Sequence, residues 1–243
     1  MRLYDPDHEV LAALQGSNIE LILDVPNSYL ARIYYFQSQA DTWVSNYVRN
    51  YTKGIKFRYI SVGNEVQPFD TVYVSELVKQ RIENENDKLM ILRITLGTKC
   101  DISPPGNARN RESCFRPRNQ GLHNYRHQRN KSPLLVNIDT YFSYVKSRGE
   151  IINDGFYSYQ NLFLALLDSV YAALEKTGGR SLEIVVSESG WPTAGGTAAN
   201  VDNARTYVNH LMQTVKNGSP RRPGRAIETY LLLDFDISFP NNC

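Results

Sequence analysis

Short apolar runs of strand length alternate along the chain with stretches whose apolar positions recur every three or four residues. Residues 1–4 (MRLY) read as strand and 9–14 as a short helix. Residues 19–25 (IELILDV) read as a strand that stops at Pro26 and Asn27. Ser38 and Asp41 then stand in the capping-box pattern ahead of an apolar stripe at helical spacing: Ala40, Trp43, Val44, Tyr47, Val48 and Tyr51. Residues 57–62 (FRYISV) return to strand and run into Gly63, Asn64 and Glu65. A helix over 71–82 and strands over 89–96 and 134–138 follow. The clearest helix spans 161–176, with Leu162, Phe163, Leu166, Leu167, Val170, Tyr171 and Leu174 inward and Gly178 as its stop. Residues 182–187 (LEIVVS) read as strand, 201–216 as a helix closed by Gly218 and Pro220, and 229–233 (TYLLL) as the last strand.

Strands alternating with helices predict parallel βα units. Seven strands, mostly apolar throughout, predict a sheet buried on both faces. A barrel and a doubly wound sheet both meet that description. The polar residues separate them, because Asp5, Asn64 with Glu65, Asn137 with Asp139, and Ser187 with Glu188 fall at the C-terminal ends of different strands. Polar groups drawn from several strand ends are the habit of the (β/α)8 barrel. The expected fold class is α/β, of the (β/α)8 TIM-barrel type, as a single domain over 1–243.

Composition adds mainly exclusions. Hydrophobic residues make up 42% of the 243 and charged residues 21%, the balance of ordinary globular material. A net charge of +2 gives no global argument for nucleic acid as a partner. No run reaches the about 18 apolar residues of a membrane helix, so no membrane association is expected. The start shows no basic region followed by an apolar one, and the chain is read as carrying no signal peptide. Cys100, Cys114 and Cys243 have no metal or redox spacing, and both free thiols and a Cys100–Cys114 bridge remain open. Residues 107–131 hold seven Arg or Lys against the one acid Glu112, with His123 and His127, and read as a solvated basic loop.

Hydrolysis of a glycosidic bond needs two carboxyl groups, one to protonate the leaving oxygen and one to attack or to activate water. Glu65 and Glu188 are each the first acid after a β-rich apolar run, and a small polar residue precedes each, Asn64 and Ser187. The segment Val185-Val186-Ser187-Glu188-Ser189-Gly190-Trp191-Pro192 resembles the VVSESGWP signature of the plant endo-1,3-β-glucanases, glycoside hydrolase family 17. Arg58-Tyr59-Ile60-Ser61-Val62-Gly63-Asn64-Glu65-Val66 is similar to that family's Asn-Glu signature. Further similar pieces are Met1–Pro6, Val25-Pro26-Asn27, 133–138, 202–207 and 227–230, in family order. The resemblance implies a retaining (β/α)8 glycosidase with Glu65 as general acid/base and Glu188 as nucleophile, their carboxyl groups ~5–5.5 Å apart. It also implies Tyr4, Asn64, Asn137, Tyr141 and Trp191 as substrate-binding residues, with Asn64 on the sugar 2-hydroxyl. No cofactor or metal is implied. The partner implied is 1,3-β-glucan, met by a secreted or vacuolar monomer in defence or wall metabolism.

The sequence also departs from the family pattern. The family has a further βα unit ahead of the MRLY strand, so about seven of eight strands are expected in a domain truncated at both ends. After Tyr230 the family's Phe, Asn-Glu pair and nearby Lys give way to Leu231 through Ile237, with Asp236 as the nearest stand-in. Asp139-Thr140 replaces a Tyr-Pro, the basic stretch replaces an amphipathic helix, and the segment after Tyr144 is shorter. These departures carry the alternative reading: a catalytically impaired glucan-binding or defence-related relative, or a non-functional truncated product.

Overall fold

A computed structural model describes residues 1–65, 82, 93–95, 97–100, 132–147, 153–154, 157–159, 161–176 and 179–232. The basic stretch 107–131, Cys114, Asp236, Cys243 and the helix expected over 71–82, apart from the helical and buried Ile82, lie outside the described residues. The chain groups into two compact units, one drawn from Met1–Thr98 and His127–Leu135, the other from Lys99–Arg126 and Val136–Cys243.

In the first unit four parallel strands pair in sequence order: β1 (Arg2–Leu3), β2 (Glu20–Val25), β3 (Lys56–Val62) and β4 (Arg93–Thr95). The described part of the 89–96 strand is therefore short, and a separate strand, β5 (Gly97–Cys100), follows it. After Glu20 every residue of β2 is buried, because a parallel sheet of this class is covered on both faces and leaves no face for alternation. Helix α1 (His8–Leu14) starts at Asp7, whose Oδ1 accepts from the amides of Glu9 at 2.8 Å and Val10 at 3.0 Å. Helix α2 (Asn27–Tyr35) runs directly on from β2 and buries Leu30 and Ile33. Helix α3 (Gln37–Tyr47) buries Ala40, Trp43 and Val44 of the expected stripe; Val48, just past its end, is buried too, whereas Tyr47 and Tyr51 are half-buried.

The capping box expected at Ser38 and Asp41 does not form. Phe36 ends α2, with its amide on the Arg32 carbonyl, and also stands at the N-cap of α3 without a side-chain cap bond. With no spare residue between the two helices, Ser38 is already inside the first turn of α3, where its carbonyl accepts from the Thr42 hydroxyl at 2.8 Å.

The second unit carries the sheet with strand order β12 (Thr229–Leu232), β9 (Ile184–Gly190), β6 (Leu134–Ile138) and β5. Around it lie helices α4 (Thr140–Ser147), α5 (Leu162–Lys176) and α6 (Val201–Asn217). Two antiparallel pairs complete it, β7 (Asn153–Asp154) with β8 (Tyr157–Ser158) and β10 (Gly218–Ser219) with β11 (Arg222–Pro223). Helix α5 buries Phe163, Leu166, Leu167, Val170, Tyr171 and Leu174 as its periodicity requires, while Leu162 stays half-exposed. It also buries Asp168, which accepts from the Tyr159 hydroxyl at 3.2 Å and the Arg221 amide at 3.0 Å. Helix α6 begins at Asn200, whose side chain accepts from the Asn203 amide.

Candidate active site

The Asn64-Glu65 pair sits where β3 stops. Val62 is the last β3 residue in register with β2, and the Gly63 amide makes one more bond, to the Val25 carbonyl at 3.0 Å. Gly63 then turns with φ 78°, a conformation that costs glycine nothing. Asn27 grips the backbone of the next residue, Asn64, on both sides. Its Oδ1 accepts from the Asn64 amide at 2.9 Å, and its Nδ2 donates to the Asn64 carbonyl at 2.8 Å. That clamp holds the chain where Glu65 takes φ 51°, a left-handed state costing an L residue about 1–2 kcal/mol. The Glu65 side chain is half-buried.

The Asn64 side chain is held from below. Arg2 Nη2 donates to Asn64 Oδ1 at 2.9 Å, so the amide presents its Nδ2 donor on the other side. Arg2 is forked onto Asp24, Nε to Oδ1 at 3.2 Å and Nη2 to Oδ2 at 2.7 Å. The two side chains are 4% and 1% exposed, so this is a buried ion pair. The Arg2 guanidinium also lies 4.5 Å over the ring of Tyr4, which is itself exposed. Burial pushes the Asp24 carboxyl up to about 6, and the hydrogen bonds and charge of Arg2 hold back only part of that rise.

Glu188 lies within β9, because the strand continues through Ser187, Glu188 and Ser189 to Gly190 instead of ending at 187 as the apolar run suggested. Alternation buries Ser187 and Ser189 and leaves Glu188 half-buried between them. Asn137 on β6 is fully buried and spans two of these residues. The Ser187 hydroxyl donates to Asn137 Oδ1 at 2.8 Å, which fixes the amide so that Nδ2 donates to Glu188 Oε2 at 3.2 Å. Ser189 donates to the Ile138 carbonyl at 2.9 Å. Its proton being committed there, the 2.6 Å contact with the Tyr207 hydroxyl makes Tyr207 the donor. Thr140 in turn donates to Tyr207 at 3.0 Å. The Tyr207 hydroxyl is held above its ordinary pKa by burial, as a group inside such a relay should be.

Gly190 closes the strand opposite Leu232 of β12, and a Cβ there would meet the Leu232 carbonyl oxygen at 2.4 Å. Trp191 follows, half-buried, with Nε1 donating to the Ala198 carbonyl at 2.9 Å. Asn203 Nδ2 donates to the same carbonyl, and Ala198 takes φ 60° to present it. Tyr141 stands edge-on to Trp191 at 5.2 Å, with Tyr144 and Tyr207 each 5.4 Å away.

Of the expected site residues, the first unit therefore brings Tyr4 and Asn64 to Arg2, with Glu65 the residue after Asn64, and the second pairs Asn137 with Glu188 and Tyr141 with Trp191. Tyr141 is buried, so it meets Trp191 rather than solvent. Sequence reasoning missed Arg2, Asp24, Asn27, Ser189 and Tyr207. The signals were a charge in each of two strands, an Asn directly after a strand-ending Pro, and hydroxyls flanking a glutamate.

The chain belongs to glycosyl hydrolases family 17, whose family model matches residues 1–241. Among its relatives is a glucan endo-1,3-beta-glucosidase of Vitis vinifera, 46% identical over 97% of this chain and 75% of that protein. Another is the basic vacuolar isoform GLB of Nicotiana tabacum, 41% identical over 99% of this chain and 71% of that protein. Among solved structures, a plant beta-glucan endohydrolase aligns with a TM-score of 0.80 at 32% identity, covering 96% of this chain and 81% of its own. CJP38, a beta-1,3-glucanase and allergen of Cryptomeria japonica pollen, aligns at 0.82 with 30% identity, covering 96% and 80%. The fold class is accordingly the α/β type of these plant enzymes, the (β/α)8 barrel.

Proposed function

We propose that this chain is a retaining endo-hydrolase of 1,3-β-D-glucosidic linkages in β-glucans. The observation that carries the proposal is the pair of prepared glutamates. Glu188 receives a fixed amide donor from Asn137, and Glu65 follows a peptide clamped by Asn27, in a chain 46% identical to a glucan endo-1,3-beta-glucosidase. Glu188 attacks the anomeric carbon while Glu65 gives its proton to the departing glycosidic oxygen. The resulting glycosyl ester on Glu188 is cleaved by water, whose proton returns to Glu65. Asn64 Nδ2, turned away from Arg2, donates to the sugar 2-hydroxyl, and Trp191 offers a ring face to a glucose unit, with Tyr141 steadying it. The enzyme acts as a monomer, outside the cell or in the vacuole, in defence or wall metabolism; the vacuole is the place printed in the names of two Nicotiana relatives. The reading of an impaired relative has no comparable support, since both glutamates stand in supported positions.

Release of reducing sugar from a linear 1,3-β-glucan tests the activity. Glu188→Gln should abolish turnover of every substrate. Glu65→Ala should spare the first step for an activated aryl glucoside, whose leaving group needs no proton. Equal loss in both variants on that substrate would overturn the division of roles.

A further inference from the structure

An ion pair buried to 4% and 1% exposure is a costly way to connect two strands. The rise of the Asp24 carboxyl to about 6 shows that Arg2 does not fully offset the burial of its charge. A device kept for stability alone would be better served by two apolar side chains. What the pair does achieve is orientation. Among the described residues the Arg2 fork reaches three at fixed angles: the Asp24 carboxylate through two bonds, Asn64 Oδ1 at 2.9 Å, and the face of the Tyr4 ring at 4.5 Å. Asp24 is the one of the three that is anchored within a strand buried on both faces. Asn64 and Tyr4 border the proposed substrate, and Asn64 is joined by one peptide to Glu65.

We propose that Asp24 is a positioning residue for glycoside cleavage: through Arg2 it fixes the Asn64 amide and the Tyr4 ring, and thereby the place of Glu65. This rests on the glucanase reading above. Asp24 touches no substrate and its ionised form does the work. Among the described residues the charge acting on it is Arg2 from β1, while its register partner on β3 is the uncharged Ser61. Protonation of Asp24 as the pH falls through about 6 takes the charge from the carboxylate that the Arg2 fork grips and loosens Asn64.

The test compares the wild-type chain with Asp24→Asn and Arg2→Lys, which retain size or charge but not the carboxylate-guanidinium fork. Steady-state kinetics on linear 1,3-β-glucan are measured from pH 4.5 to 8, with circular dichroism of the same samples. We expect kcat to fall roughly 10- to 100-fold in both variants, as a misplaced reacting group would cause, with KM changed less than about threefold. We also expect the inflection in kcat/KM that Asp24 contributes near pH 6 to be missing from Asp24→Asn. Folded variants with kcat within about twofold of wild type, or an Asp24→Asn profile superimposing on the wild-type one, overturn the proposal. If Asp24→Asn does not fold, Arg2→Lys at wild-type kcat overturns it alone. A wild-type chain that releases no sugar sinks the glucanase reading and this proposal together, whereas an active wild type with equally active variants sinks only this one.

Discussion

Asn137→Asp changes one group next to the proposed nucleophile while keeping its shape. The Ser187 hydroxyl donates to Oδ1 in either residue, so the 2.8 Å contact and the side-chain rotamer survive. The Nδ2 donor, 3.2 Å from Glu188 Oε2, becomes a second carboxylate oxygen. Two effects then raise the energy of ionised Glu188. A hydrogen bond to a charged group is lost, about 1.5–3 kcal/mol. A like charge also appears at 3.2 Å, which at an effective dielectric of 20 amounts to about 5 kcal/mol before screening. Glu188 is half-buried, so water screens part of this. Even the lost hydrogen bond alone corresponds to about 1–2 pKa units. Two carboxyls this close share one proton at neutral pH, and a protonated Glu188 cannot attack. The acid limb of kcat/KM on linear 1,3-β-glucan should therefore move to higher pH by at least about one unit. At pH 5 the variant should lose roughly tenfold or more relative to wild type and recover part of the difference by pH 8. An acid limb that stays within about 0.3 units, in a variant that melts like wild type, would show that Asn137 does not govern Glu188.

Tyr207→Phe keeps the ring beside Trp191 but removes the hydroxyl between Thr140 and Ser189, and should cost about 1–3 kcal/mol in urea unfolding, since both partners are buried. A loss below about 0.5 kcal/mol would refute the relay. Gly190→Ala should destabilise by about 1–3 kcal/mol and lower glucan turnover, because a Cβ 2.4 Å from the Leu232 carbonyl forces β12 away from the strand carrying Glu188. Asp24 fixes a pH dependence of stability. Its folded pKa, about 6, lies above the ordinary 3.8, so its contribution is full below 3.8 and is lost as pH rises through about 6. The difference is about 3 kcal/mol by linkage, and guanidinium unfolding of wild type against Asp24→Asn at pH 4 and pH 7.5 measures it. A stability difference between the two proteins that is the same at both pH values would contradict the raised pKa.

Where local physics decides, the sequence already contained the structure. The run LILDV reads as a strand because a doubly covered parallel strand is apolar without alternation, and β2 is buried in just that way. Helix α5 was legible because its seven apolar positions repeat at the helical period. Glu65 and Glu188 stood out as candidates because each follows an apolar run within a specific motif. Local reading failed where an apolar signal stops before the element does. Strand β9 continues through Ser187, Glu188 and Ser189, polar residues held in the sheet by partners on β6 and α6 that no window around them contains. The α2 helix after Pro26 was missed for the converse reason: the Pro-Asn stop signal hid a helix that begins at once, with Pro26 at its N-cap and no side-chain cap bond to mark it. The support of the site was the part only the tertiary structure decided. Arg2 meets Asp24 across 22 residues and Asn64 across 62, and Tyr207 meets Thr140 across 67. Hydrogen bonds and ion pairs of that reach are set by which strands lie side by side, and strand neighbours follow from burial of the whole chain rather than from any stretch of it.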